Sequence, residues 1–256
     1  MPLVANLTVT PVFDERSVYC TGQSKTFTIT VNPSGQVNDP DNQVVCNGGQ
    51  SFYVDFTTNN TGGTTTYTWT NSTTSIGLDA AGAGNIPAFT AINNGMLPVV
   101  ATITVTPLFT NEMVSCTGPE QMFTITVNPS AQVNNPGDKV YCNGATAPEL
   151  MFSTAMTFGS TTYTWTNSNT TIGLSTSGFG NIPAFVASNF GSAPIEAIII
   201  VTPHNSDGSI TCDGTPESFK ITVNPTGQVN NPGNQVVCDG SSTTNVVFTS
   251  LNTGGT

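Results

Sequence analysis

Charge is the scarcest commodity in this chain. Only 7% of its 256 residues are charged, against roughly 25% in an average soluble protein. The basic residues are Arg16, Lys25, Lys139 and Lys220, set against 15 Asp and Glu, for a formal net charge of −11. Phosphates need Lys and Arg to neutralise them, so a nucleic-acid partner is excluded. A polybasic membrane patch is equally missing, and no apolar run is long enough to span a bilayer, so direct membrane insertion is not expected. His204 is the only histidine, which excludes a repeated zinc centre or Ser-His-Asp relay. No segment carries a helical period of useful length. Met1 leads straight into strand-like Leu3–Val9, without a basic n-region or an apolar h-region. A signal peptide is therefore either missing or outside this piece.

What the chain has instead is Thr, Ser, Asn, Gly and Pro, arranged in a strict repeat. Val45-Cys46-Asn47-Gly48 returns as Tyr141-Cys142-Asn143-Gly144 and Val237-Cys238-Asp239-Gly240, at a constant offset of 96 (142 − 46 and 238 − 142). Trp69 and Trp165 keep that offset, as do Cys20, Cys116 and Cys212. So do Asn32-Pro33, Asn128-Pro129 and Asn224-Pro225. About half the aligned positions of the two full copies are identical, which is high for repeats of this length. Asn-Pro closes each unit, because proline cannot donate to a strand ladder. The expected organisation is residues 1–33 as the last part of a repeat, 34–129 and 130–225 as complete repeats, and 226–256 as the first part of another. Neither partial unit holds enough apolar sequence for its own core. The chain therefore reads as an excerpt of a longer array.

Within a repeat the apolar residues alternate. Thr102-Ile103-Thr104-Val105-Thr106 and Phe123-Thr124-Ile125-Thr126-Val127 each offer one face to a core and a threonine face to solvent. Threonine suits the outer face, being β-branched and polar. Tyr67-Thr68-Trp69-Thr70 repeats the pattern with aromatics inward, and Val44-Val45-Cys46 runs into Asn47-Gly48, a tight-turn signal. Gly84–Phe89 reads as a kinked strand with Pro87 at an edge. The count is roughly seven short strands per repeat, with the Trp on the third. The expected fold is all-β, a tandem array of immunoglobulin-like sandwiches. Strand A is expected near 37–46, B near 51–57, C near 65–70, F near 99–107 and G near 121–128. The expected core aromatics are Tyr67, Trp69, Phe123 and their counterparts Tyr163, Trp165 and Phe219.

The repeat also serves as an internal control on chemistry, since a site built into the unit recurs with it. The carboxylates do not recur. Asp39 aligns with Asn135 and Asn231, Asp41 with Gly137 and Gly233, Asp138 with Asn42 and Asn234, and Asp79 with Ser175. No catalytic residue and no cofactor are expected. Asp39-Pro40-Asp41 is a weak Ca²⁺ candidate by its oxygen donors, with a solvated turn as the favoured reading. His204 aligns with Leu108 and Val12 and is expected in a loop. Gly82-Ala83-Gly84 resembles a phosphate-binding glycine run, but no helix follows it. Asn59, Asn71 and Asn169 sit in glycosylation sequons.

The motifs that recur through both copies carry a resemblance. They are Val45-Cys46-Asn47-Gly48, Tyr67-Thr68-Trp69-Thr70-Asn71, Ser75-Ile76-Gly77-Leu78, Gly84-Asn85-Ile86-Pro87-Ala88-Phe89 and Phe123-Thr124-Ile125-Thr126-Val127-Asn128-Pro129. Together they resemble the PKD-like, immunoglobulin-like repeats of giant secreted adhesins of the Bacteroidota, including gliding-motility adhesins of the SprB type. That resemblance implies export by the type IX system and display at the cell surface. The partners it implies are neighbouring repeats of the same chain, with surface polysaccharide or other adhesin subunits beyond them. Fold alone does not fix function, so two readings stand. One is a structural stalk or filament of a cell-surface adhesin. The alternative is a carbohydrate-binding module array of a secreted protein.

Six cysteines in such a chain argue for an oxidising compartment and disulfides. No close Cys pair or His partner favours a metal. In a sandwich of this kind the A–B turn and the F–G connection lie at opposite ends, separated by roughly 20 Å of strand. A disulfide needs Cα atoms within about 7 Å. Head-to-tail stacking would join Cys46 to Cys212 and leave the other four to bond outside this piece. The alternative is a bond within each repeat, Cys46–Cys116 and Cys142–Cys212, if the segment from Pro107 to Glu120 folds back along the sandwich.

Overall fold

A computed structural model describes residues 1–255. It divides into two compact units, Met1–Pro129 and Ser130–Thr256. Among the described residues no helix is long and apolar enough to cross a membrane. The architecture is all-β, of the immunoglobulin-like sandwich class, with two short 3₁₀ turns at Thr74–Ile76 and Thr170–Ile172.

The strands of the first unit are β1 (Leu3–Val9), β2 (Val12–Glu15), β3 (Val18–Thr21), β4 (Lys25–Val31), β5 (Gln43–Cys46), β6 (Thr64–Asn71), β7 (Ala81–Ala83), β8 (Val99–Asn111), β9 (Val114–Thr117) and β10 (Gln121–Asn128). One six-stranded sheet runs β5-β10-β8-β6-β7, with β9 pairing to β8 off that path. The β5–β10 pair is parallel, from Gln43↔Ile125 to Cys46↔Asn128. The other pairs in that sheet are antiparallel. Alternation decides which face is buried. On β8, Ala101, Ile103, Val105 and Phe109 have no exposure, while the intervening threonines point the other way. Phe56 lies 5.5 Å from Tyr67 and 6.4 Å from Phe123 between ring centroids. Each such ring, once buried, contributes roughly 1.5–3 kcal/mol.

The layer facing this sheet is irregular. Where strand B was expected near 51–57 the bridge Val54↔Ile86 forms, with Gln50↔Thr90 just before it. Side chains take the place of the ladder. The Gln43 amide accepts from the Phe52 N–H at 2.9 Å and donates to the Phe52 carbonyl at 3.1 Å. Asn85 Oδ1 accepts from the Phe56 N–H at 3.0 Å. Backbone groups are thus satisfied without a continuous strand. Trp69 on β6 lies opposite Gly82 on β7, where a Cβ would stand 2.2 Å from the indole ring. Only glycine lets the ring in.

Strand F is longer than expected. It runs to Asn111, turns through Glu112 and Met113, both at positive φ (47° and 67°), and returns as β9. The segment after Pro107 is therefore a hairpin of the type that needs two left-handed residues. Buried Phe109 carries the alternation outward and extends the strand. In residues 1–33 the same elements form a β1–β4 pair and a β2–β3 hairpin, with every strand position exposed.

The second unit contains β11 (Lys139–Cys142), β12 (Thr146–Ala147), β13 (Ser160–Asn167), β14 (Ser177–Phe179), β15 (Phe185–Val186), β16 (Ile195–Ser206), β17 (Thr211–Asp213) and β18 (Glu217–Asn224). Its main sheet runs β11-β18-β16-β13-β14, with β17 on β16, and β12 pairs β15 in the facing layer. Tyr163, Trp165 and Phe219 are buried with Phe152, Ile199 and Val201. Trp165 rests on Gly178 as Trp69 rests on Gly82. Residues 226–255 form turns and contain no strand.

Candidate functional site

What recurs between the two complete repeats is packing. Tyr67, Trp69 and Phe123 are buried, as are Tyr163, Trp165 and Phe219, so none of these rings is presented to a ligand. Burial pushes the Tyr67 hydroxyl above its ordinary pKa, with Asp55 adding to the rise and a hydrogen bond from Thr58 opposing it. Burial does the same to Tyr163 and Tyr141. Among the described residues the indole N–H groups of Trp69 and Trp165 are buried without an acceptor. The glycine run Gly82-Ala83-Gly84 serves the Trp69 contact and a turn at Gly84 (φ +71°).

Cysteines fall into two structural classes. Cys46 and Cys142 end the first strand of their repeats, and Cys116 and Cys212 lie on the hairpin arm that pairs with β8 or β16. Cys46 and Cys212 are disulfide-bonded, whereas Cys20, Cys116, Cys142 and Cys238 are free thiols. The within-repeat pairs Cys46–Cys116 and Cys142–Cys212 are therefore not formed. The segment after Pro107 does not fold back along the sandwich, because its residues extend β8 and build the β9 hairpin.

His204 corrects another expectation. It lies on β16, not in a loop, because the apolar alternation Ile199–Val201 continues into a hairpin strand. Its Nδ1 stands 2.6 Å from Asp213 Oδ1 and its Nε2 2.9 Å from Thr164 Oγ1. Hydroxyl, imidazole and carboxylate in a row look like a nucleophile relay. Thr164, however, sits mid-sheet, paired to Thr202 on one side and Phe179 on the other. Its neighbouring backbone is committed to the ladders and offers no oxyanion donors. The trio acts as a tie between β13, β16 and β17.

Asp39 and Asp41 are exposed and line a shallow recess of about 330 Å³ with Phe52, Tyr53 and Asp55. No group of three metal-ligating side chains forms among the described residues. Asn85 donates to Tyr53 Oη at 2.7 Å and to Asp55 Oδ1 at 2.6 Å. Sequence reasoning passed over Phe52, Tyr53, Asp55 and the role of Asn85. The available signal was divergence between copies, since Phe52-Tyr53 aligns with Pro148-Glu149. Of the sequon asparagines, Asn71 is buried and its amide donates to the Leu78 and Asp79 carbonyls. Asn169 donates to the Glu196 carbonyl, and Asn59 is exposed.

No known protein family is matched by the chain, and no curated protein is similar to it. Solved structures similar to it include a SusE-like surface-located polysaccharide-binding protein from the Bacteroides thetaiotaomicron heparin utilisation locus. That match has 14% identity and a TM-score of 0.31 and covers 79% of this chain. The chain spans 37% of that protein's length. Drosophila N-cadherin EC1-4 is similar at 14% identity and TM-score 0.30, over 98% of this chain and 68% of the cadherin. Human protocadherin-24 EC1-2 is similar at 9% identity and TM-score 0.36, over 75% of this chain and 99% of that one. Likeness at this level concerns the fold alone.

Proposed function

We propose that these repeats form a structural stalk or filament of a secreted cell-surface adhesin that serves surface attachment or gliding motility. The observation that carries this reading is the nature of what recurs. Residues kept at the 96-residue interval are core aromatics, turn glycines, strand-closing prolines and cysteines. A repeated ligand site would need recurring exposed groups, and the recurring rings are buried or, at Phe89 and Phe185, half-buried against the core. That argues against a carbohydrate-binding array in which every repeat contributes equally. Two of the six cysteines are disulfide-bonded, which suits an oxidising, extracellular setting. We propose that this bond joins Cys46 to Cys212 and so ties adjacent repeats. Export by the type IX system and the partnership with other adhesin subunits belong to the same proposal.

Antibodies raised against residues 34–225 label intact cells that make the protein, and those cells keep attaching when residues 130–225 are deleted in frame. Labelling only after permeabilisation overturns surface display. Loss of attachment on that deletion overturns the stalk. Non-reduced peptide mapping gives a Cys46–Cys212 cross-linked peptide, and any other partner for Cys46 rejects the tie.

A further inference from the structure

We infer that the recess of the first complete repeat is a sugar-binding site, taking a pyranose ring of a neutral or amino-bearing glycan. The site is independent of the stalk reading, since it does not recur. Phe52 and Tyr53 are 69% and 58% exposed, in a repeat whose Phe56, Tyr67, Trp69, Phe109 and Phe123 are buried. Exposed rings are normally mobile, but these stand on a fixed frame. Both backbone groups of Phe52 are held by the buried Gln43 amide. The Tyr53 hydroxyl accepts from Asn85, whose second N–H holds Asp55 and whose oxygen holds the Phe56 N–H. A ring held this way presents a flat apolar face at low entropic cost.

The carboxylates around it define what it faces. The carboxylates of Asp39, Asp41 and Asp55 offer hydrogen-bond acceptors, which favours a ligand that donates. Among the described residues they do not converge as a cation site, and a ligand with several separated donors suits them better. Ring hydroxyls or amines on a pyranose meet that need, with the ring's apolar face on the aromatic side chain. A protonated amine adds attraction to the ring and to the carboxylates. The recess, at about 330 Å³, is at the small end of ligand pockets. Three carboxylates at the rim and a chain charge of −11 disfavour uronic or sulfated glycans.

Comparison with the second repeat isolates the site from the scaffold. Asn181 keeps the frame, accepting from the Phe152 N–H at 3.1 Å and donating to Glu149 at 2.9 Å. The groups facing solvent are replaced: Pro148 and Glu149 for the rings, Met151 for Asp55, Asn135 for Asp39 and Gly137 for Asp41. The Asn85 half of the scaffold is retained at Asn181, the Gln43 half is replaced by Lys139, and the aromatic face is present in one copy.

The test is titration of the 256-residue chain with cellohexaose, with a glucosamine hexamer, with a galacturonate hexamer and with CaCl₂, by calorimetry and saturation-transfer NMR. Cellohexaose or the glucosamine hexamer binds and the galacturonate hexamer does not. Tyr53→Ala and Phe52→Ala each weaken binding about tenfold or more, with unchanged circular dichroism, and Tyr53→Trp retains it. Binding of both sugars shows ring recognition. Binding of the glucosamine hexamer alone, lost in Asp55→Asn with Asp39→Asn, assigns the amine. The inference is overturned if neither sugar binds at about 10 mM, if binding survives both alanine variants, or if only Ca²⁺ binds.

Discussion

Residues 3–9 and 99–105 spell nearly the same strand, Leu-Val-Ala-Asn-Leu-Thr-Val and Val-Val-Ala-Thr-Ile-Thr-Val, yet their fates differ. Both pair antiparallel in the same register, Leu3 with Val31 and Val99 with Val127. Ala101, Ile103 and Val105 have no exposure, while Leu7 and Val9 are 36% and 55% exposed. The difference lies in what faces them. Val54, Phe56 and Ile86 of the facing layer close over the inner face of β8 in the first full repeat, beside Tyr67 and Trp69 of its own sheet. Alternation fixes strand and register, and burial comes from residues far along the chain.

The sharpest way to break this comparison is to cut the same side chain in both places. Ile103→Ala is expected to cost about 2–5 kcal/mol, as a fully buried truncation does, and Leu7→Ala about 0.5 kcal/mol or less. Urea unfolding followed by Trp69 fluorescence in a Trp165→Phe background measures both, and equal losses would refute the argument. Gly82→Ala comes next, at about 1–3 kcal/mol of overpacking, because the methyl would meet the Trp69 ring. Its readout is the same unfolding midpoint.

Alkaline pH sharpens the comparison chemically. The folded pKa of Tyr67 and Tyr163 is raised by burial. Their neutral forms therefore contribute stability that is full below the ordinary tyrosine pKa of about 10 and is lost as pH rises through the folded value. Thermal midpoints are expected to fall above about pH 10, and Tyr67→Phe with Tyr163→Phe should flatten that part of the profile. A small effect is also expected from Asn32→Ala. Asn32 exchanges hydrogen bonds with Asn111 at 2.9 and 3.4 Å, and a partly exposed pair of this kind contributes about 1 kcal/mol at most. Hydrogen exchange at the β8–β9 turn detects its loss.

The all-β class and the inward aromatics are legible because alternation is a local signal. The facing layer is not, because Gln43 and Asn85 replace a ladder with side chains and nothing in the run 51–57 announces it. The hairpin beyond Pro107 hides for a related reason. Its turn uses Glu112 and Met113 at positive φ, where the usual marker is glycine or asparagine. His204 was misplaced with it, since its position depends on that hairpin. The recess carries no repeated signal, because Phe52 and Tyr53 occur once.

The parallel pairing of β5 with β10 has a mechanical consequence. The chain enters the repeat's sheet at Gln43 and leaves it at Asn128, and these residues lie at opposite ends of one short ladder. With the Cys46 disulfide reduced, pulling the chain apart at those points slides the two strands along each other. The hydrogen bonds between 43–46 and 125–128 are then loaded in shear, together, whereas an antiparallel terminal pair would unzip one bond at a time. The second repeat, with Lys139–Cys142 parallel to Ile221–Asn224, is clamped in the same way.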